Sequence, residues 1–522
     1  MDDRHYYVTT SIPYVNARPH LGHALELVQA DVLARFHRQR GDDTRFLTGT
    51  DDNSLKNVQA AEAAGLPTQT LVDRNAAHFH ALRDTLNLSF DDFIRTSGNP
   101  AHAAGARRLW HACAGAGDIY KRAYRGLYCV GCEAFYTPDE LVDGLCPEHL
   151  RPPELVEEEN WFFRLSHYAT PLHDAIATGR LRIVPRTRQT EVLRFIERGL
   201  ADFSISRSQA RAHGWGIPVP DDPGQVMYVW WDALINYITA LGYGDGPDSP
   251  LYTRYWRDNS QRVHVIGKGI LRFHAVYWPA MLLSAGEPLP TTLYVHEYLT
   301  VDGQKISKSL GNAIGPDELV TRFGTDALRY WFLRDAARTE DTDFTTARLS
   351  ERYNADLANG LGNLLQRTVS MIARWRAGIV PAPGPAGTPE QRLAALAANL
   401  PDQIATALDE FDFRAALGAL WALVASANRY VEESAPWQLA RRAATGDRSA
   451  SQQLDTALYT LAETLHVIAS RLAPFLPSTS QRITAQLGLA DPTACCHEPI
   501  RWGLLPPGTH VAAPQPLFPR LE

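Results

Sequence analysis

What most constrains the fold is an alternation near the N-terminus. Residues 6–11 (YYVTTS) read as a short buried strand, followed by a loop containing Pro13 and Pro19. Beyond the loop, Leu25, Val28, Val32 and Phe36 recur at three- and four-residue steps, the period of an amphipathic helix, and Gly41 stops it. Residues 44–50 (TRFLTGT) predict a second strand and residues 54–65 (SLKNVQAAEAAG) a second helix. Strand, helix, strand, helix is the opening of a parallel sheet wound with helices, since each helix returns the chain to lay down the next parallel strand.

The alternation breaks over residues 118–225, which are rich in charge, turns and cysteine. It resumes with residues 262–270 (RVHVIGKGI), another buried strand leading into a helix. From about 346 the pattern is almost wholly helical, with a Pro/Gly-rich loop at 380–389 and a proline-rich tail at the end. The expected fold is therefore α/β, a Rossmann-type parallel-sheet domain split by an insertion and followed by an all-α domain. The expected boundaries are 1–117 and 226–300 for the two halves of the sheet domain and 118–225 for the insertion. A linking region follows at 301–345, then the helical domain at 346–505 and the tail at 506–522. A chain of 522 residues is long enough for several such domains.

Composition narrows the function classes. No apolar run approaches the roughly 18 residues of a spanning helix, so no membrane partner is expected. The N-terminal MDDRHYYVTTS lacks the basic and apolar regions of a signal peptide, which points to the cytoplasm. A net charge of −7 leaves nucleic-acid contact to local basic faces.

Two short motifs carry chemistry. In RPHLGHALE, His20 and His23 flank Gly22 where strand gives way to helix. Two polar residues at a helix start would look the same, and metal binding lacks a nearby third ligand. The phosphate reading has a mechanism: a helix N-terminus offers unpaired N–H groups, Gly22 allows close approach, and imidazole N–H donors add contacts to an anion. In VDGQKISKSLGN, Lys305 and Lys308 lie three apart beside Ser307 and Ser309. Two ammonium groups on a loop suit a leaving pyrophosphate, although a solvated basic loop would read alike.

Six cysteines are present. Cys129 and Cys132 form Cys-x-x-Cys, and Cys146 and His149 form Cys-x-x-His across a turn-rich loop, the donor set and spacing of a closed tetrahedral zinc site. With no open position that ion would be structural, stiffening a segment with little core of its own.

HLGH and KISKS resemble the signatures of class I aminoacyl-tRNA synthetases, His-Ile-Gly-His and Lys-Met-Ser-Lys-Ser. Within that class the chain resembles the methionyl-tRNA synthetase family over nearly its whole length. The segments TTSIPYVNARPHLGHALELVQAD, FLTGTD, ISRSQARAHGWGIPVP, YVWWDALINY, VIGKGILRFHAVYWPAMLLSAG and ADLANGLGNLLQR carry that resemblance.

The resemblance implies a ligase that activates methionine with ATP and Mg2+ and transfers it to tRNA(Met). His20, Gly22, His23, Lys305, Ser307 and Lys308 would bind ATP, with His20, His23, Lys305 and Lys308 catalytic. Ile12, Tyr14, Trp230, Leu234, Tyr237, Ile270, His274 and Trp278 would line the methionine pocket, with Asp51 pairing the amino group. Rings and aliphatic chains suit a flexible thioether, and a carboxylate suits its ammonium. In the helical domain, Asn363 and Arg367 share one helix face, and they and Trp437 would read the anticodon. The resemblance implies a cysteine knuckle in the insertion, which in the family holds one zinc, two or none; the one ligand set in this sequence gives one structural zinc. A monomer is also expected, because the chain ends at 522 without the module that makes some members dimers.

Two departures stand out. Family members commonly read Thr-Asp-Glu-His-Gly where residues 50–54 are TDDNS, and many carry Asp where Gly269 stands in GKGI. They leave two alternatives: a diverged copy that passes its amino acid to another acceptor, and a non-enzymatic RNA-binding protein on the same scaffold.

Overall fold

The computed structural model describes residues 4–130, 134–147, 150–246, 248–306, 314–489 and 502–521. The chain divides into two compact units. One comprises residues 1–30, 43–84 and 88–297, and the other residues 31–42, 85–87 and 298–522.

The first unit is built on a parallel sheet of six strands: β1 (His5–Thr10), β2 (Asp43–Thr50), β3 (Asp92–Arg95), β4 (Arg182–Val184), β5 (Arg262–Gly267) and β6 (Thr292–His296). Their order is β3-β2-β1-β5-β6-β4, and every neighbouring pair is parallel. Interior strands of such a sheet are covered on both faces, which is why Tyr6 to Thr10 and Val263 to Ile266 are continuously buried. Helix α1 (Leu21–Gln39) follows β1. The chain steps to one side of β1 toward β2 and β3, and on the other side β1 pairs with β5. The carboxyl ends of β1 and β5 therefore flank the switch point of the sheet, where α/β folds bind ligands.

The span 118–225 leaves the sheet and returns to it. Ile119–Cys129 and Glu154–Phe163 form a long antiparallel pair, extended by Ala134–Tyr136 on one side and Phe203–Ser204 on the other. Ser206–Ser208, Asp222–Met227 and Pro218–Val219 form a second small sheet. Between these lies β4, which pairs with β6 at the edge of the main sheet.

The second unit is helical. Thr346–Arg352 runs through a wider turn at Tyr353–Gly362 into Asn363–Trp375. Long helices Thr388–Asp409, Phe413–Ser434 and Arg448–Leu472 pack their apolar faces together, with Leu400, Leu417, Leu420, Leu458 and Leu465 buried. The C-terminal tail is tied down. The buried Glu463 carboxylate accepts the backbone N–H groups of Gly503, Leu504 and Leu505, and Arg482 donates to the carbonyls of Pro516 and Leu517. Among the described residues, no helix is long and apolar enough to cross a membrane.

Candidate active site

His20 caps α1: its Nδ1 accepts the Gly22 N–H at 3.1 Å. Its own backbone N–H donates to His23 Nδ1, also at 3.1 Å. The two rings stack with centroids 3.9 Å apart. Desolvation pushes the His20 pKa down to about 4. It pushes His23 well below the usual value as well, with His20 and His296 adding to the shift. Both rings are therefore neutral near pH 7, and each Nδ1 is occupied as an acceptor. The proton must sit on Nε2, so both rings keep a donor on the side away from the cap. Gly22 suits this packing, since a Cβ there would stand 3.0 Å from the His20 ring and press on it.

Protonation of these rings is thus coupled to folding. In the unfolded chain they take up protons near 6.5, and in the folded chain only at much lower pH. The unfolded state therefore binds more protons across that window, and the stability present above about pH 6.5 is lost as pH falls toward 4. His20→Asn keeps an acceptor for Gly22 and removes one titrating ring. The wild-type melting temperature should fall more steeply between pH 6.5 and 5 than that of the variant. Parallel curves would contradict neutral capping by His20.

Around this cap the loop after β1 is bound to α1. Glu26 accepts the Ser11 N–H and hydroxyl through Oε1, at 2.8 and 2.5 Å, and bonds His296 Nε2 through Oε2 at 2.9 Å. A small pocket lies beside His23 and Glu26 and is walled by Thr10, Thr48, Phe79 and Phe90.

Next to it is a continuous run of aromatic rings. Trp230 stacks on Phe273 at 3.7 Å and meets Tyr14 and His274 edge-on, each at 6.4 Å. Tyr237 donates its hydroxyl to His274 Nε2 at 2.7 Å, and His274 Nδ1–H donates to the Ile270 carbonyl at 2.9 Å. Trp278 donates to His264 Nε2 at 3.3 Å, whose Nδ1–H reaches the Thr9 hydroxyl at 2.7 Å. Burial holds His274 near 4 and His264 well below its usual value, so the lining is uncharged near neutral pH. Ile12 and Leu234 belong to the same apolar cluster. Asp51 is buried beside Tyr14, its backbone bridged to that residue and its N–H donating to the Pro13 carbonyl at 2.9 Å. Of the residues named from sequence, Ile12, Tyr14, Asp51, Trp230, Leu234, Tyr237, Ile270, His274 and Trp278 thus fall in one region.

The departures in TDDNS are all engaged. Asp52 accepts from Arg95, Ser97 and Thr50. Burial nonetheless raises its pKa, the Arg95 guanidinium opposing the shift. Ser54 caps helix Leu55–Ala63 through the Asn57 N–H, and Asn53 donates its amide to Asp232. Gly269 lies in the exposed turn Lys268–Ile270. Beside it, Lys268 pairs with Glu297 at 3.1 Å, and Glu297 is also clasped by Arg188.

In the second unit, Lys305 belongs to a hairpin. Leu299–Val301 pairs antiparallel with Gln304–Lys305 across Asp302 and Gly303, both at positive φ, as a two-residue turn of this hand requires. Asp343 anchors it by accepting from the Thr300 hydroxyl and the Gly303 N–H, each at 2.7 Å. Ser307, Lys308 and Ser309 lie outside the described residues. On helix Asn363–Trp375, Asn363 is exposed and Arg367 lies one turn on. The Arg367 guanidinium lies over Trp437 at 5.9 Å and donates to Glu432 at 2.7 Å. Trp437 is only partly buried.

At the cysteine cluster, Cys129 ends the strand Ile119–Cys129 and Cys146 follows the Val142–Leu145 bridge, and both are buried. Cys132 and His149 lie outside the described residues. Among the described residues, no three His, Cys, Asp or Glu side chains converge as a metal site would require.

Sequence reading did not single out Phe273, His264, Glu26 or His296. His264 left a signal, a polar residue in the middle of the buried run RVHVIG. The others depend on contacts between distant segments.

Comparison with known proteins agrees with this geometry. The family model described as tRNA synthetases class I (M) matches residues 6–151 and 149–369. That of the anticodon binding domain of methionyl tRNA ligase matches residues 380–522. The first unit thus carries the fold of a class I aminoacyl-tRNA synthetase. The Methionine–tRNA ligase of Caldanaerobacter subterraneus subsp. tengcongensis is 42% identical, covering 99% of this chain and 79% of that protein. That of Brucella suis is also 42% identical, covering 100% of this chain and 98% of that protein. A solved structure of Mycobacterium tuberculosis methionyl-tRNA synthetase in complex with methionyl-adenylate superposes with a TM-score of 0.93 at 41% identity, covering 99% of this chain and 100% of that one. The chain belongs to the methionyl-tRNA synthetase family.

Proposed function

We propose that this chain is a methionine–tRNA ligase. It would join methionine to ATP as methionyl adenylate with release of pyrophosphate, then pass the acyl group to the 3′-terminal ribose of tRNA(Met). The observation that carries this reading is the neutral His20–His23 pair, its Nε2–H donors held at a helix N-terminus beside the switch point of the sheet.

Methionine's carboxylate is ionised at neutral pH, so its attack on the α-phosphate needs no general base. An oxygen–phosphorus bond forms as the bond to pyrophosphate breaks. What the protein must supply is position and stabilisation of charge. His20 and His23 would donate to phosphate oxygens without adding charge, and the backbone N–H groups near Gly22 would assist. Lys305 and Lys308, with Ser307, would hold the departing pyrophosphate, and Mg2+ would accompany ATP and neutralise its charge. Asp51 would receive the substrate ammonium. Ile12, Tyr14, Trp230, Leu234, Tyr237, Ile270, His274 and Trp278 would take the thioether side chain. An uncharged lining favours that apolar chain over a polar isostere.

Asn363, Arg367 and Trp437 would read the anticodon, the indole by stacking and the polar groups at base edges. A monomer in the cytoplasm completes the proposal. Charging of a tRNA(Met) transcript with labelled methionine tests the transfer half. An adenylate that forms but leaves the transcript uncharged would contradict it.

The buried thiols of Cys129 and Cys146 fit half of a four-donor zinc site, and Cys132 and His149 would supply the rest. Such an ion, when bound, holds strands together and takes no part in the chemistry. Protein purified without chelators should carry about one zinc per chain. Active protein with no zinc by elemental analysis would refute the site.

A further inference from the structure

The buried polar cluster around Asp232 has no part in the chemistry described above. Asp232 is 1% exposed and sits on helix Val229–Leu234, between Trp230 and Leu234. Its Oδ1 accepts from His102 Nε2 at 2.6 Å, and its Oδ2 accepts from the Asn53 side-chain amide at 2.6 Å. The other nitrogen of His102 bonds the Thr239 hydroxyl at 2.7 Å, just beyond Tyr237. The backbone N–H of Asn53 donates to Asp51 Oδ1 at 3.2 Å. One residue therefore grips two carboxylates, Asp51 with its backbone and Asp232 with its side chain.

We infer that Asn53 is a positioning residue for the amino-acid substrate. It sets the spacing between Asp51, which takes the ammonium, and the helix carrying Trp230 and Leu234, which take the side chain. This rests on the proposed methionine site. The energetics favour a real constraint, because a buried carboxylate is held at a fixed place only by donors that satisfy it, and charge-assisted bonds are the strong ones. The loop does not depend on Asn53 for its shape. Asn57 donates its amide to the Asp51 and Asp52 carbonyls, and Trp215 donates to the Asp52 carbonyl at 2.8 Å. Removing the Asn53 side chain should therefore loosen the spacing without unfolding the turn.

The test is pyrophosphate exchange with the full-length protein, varying the amino acid and ATP separately. Asn53→Ala should raise KM for methionine roughly five- to tenfold, with kcat and KM for ATP within about twofold of wild type. Asn53→Asp, nearly the same size, sets carboxylate against carboxylate and should raise KM for methionine further than Ala does. A lowered melting temperature with unchanged KM for methionine would overturn the assignment and leave Asn53 a structural residue. So would an equal loss of both KM values and kcat. If the wild-type chain activates a different amino acid, the methionine reading fails, and Asn53 is then judged by the same KM split on that substrate.

Discussion

His23→Asn should lower methionine-dependent pyrophosphate exchange by roughly 10²–10³-fold, the usual effect of removing one donor from a site of developing charge. Its melting temperature should stay close to wild type. The two halves of the ring do different work: Nδ1 accepts the His20 N–H, and Nε2–H faces away from the cap. Asparagine places an amide oxygen where Nδ1 lies and has nothing at Nε2, so the cap survives and the donor is lost. His23→Gln does the converse, placing an amide nitrogen near Nε2 and abandoning the cap. It should retain more exchange activity than Asn while melting at a lower temperature, since losing a helix cap costs roughly 1 kcal/mol. Equal activity losses in both variants, tracking their stability, would mean that His23 serves only the helix end.

Trp437→Ala should leave methionine-dependent exchange nearly intact and lower tRNA charging efficiency roughly ten- to hundredfold. One base–aromatic stack is worth ~1–3 kcal/mol, and each 1.4 kcal/mol is tenfold. The partial burial of Trp437 and the Arg367 guanidinium over its ring describe a side chain still presenting a face to solvent. A core tryptophan would behave otherwise: its removal would cost roughly 3–5 kcal/mol of stability and reduce both reactions together. Measuring exchange, charging and melting on one preparation separates these outcomes. Loss of both activities with a lowered melting temperature would remove Trp437 from anticodon reading.

Much of the architecture was legible in the sequence because parallel sheets and amphipathic helices write strong periods. The strand at residues 6–11 and the helix after it stand out by pattern alone, and β1 and α1 occupy that stretch. The strand β4 was not legible. It is three residues long, lies between two helices, and is defined by pairing with β6, more than a hundred residues away. The His-x-Gly-His spacing was visible, yet its tautomers were not, since they follow from which backbone N–H each Nδ1 accepts. The aromatic site divides the same way. Trp230, Tyr237 and Trp278 could be named by resemblance. The Phe273 stack and the Asn53–Asp232 bond join segments far apart in the chain, and no local pattern marks them.

The central claim is that the capped histidines and the uncharged aromatic site together activate methionine. Its most direct measurement is ATP–pyrophosphate exchange with the purified chain across the twenty amino acids. The account predicts exchange with methionine well above every other amino acid. Absence of exchange with methionine, or a stronger response to a polar or charged amino acid, would contradict it.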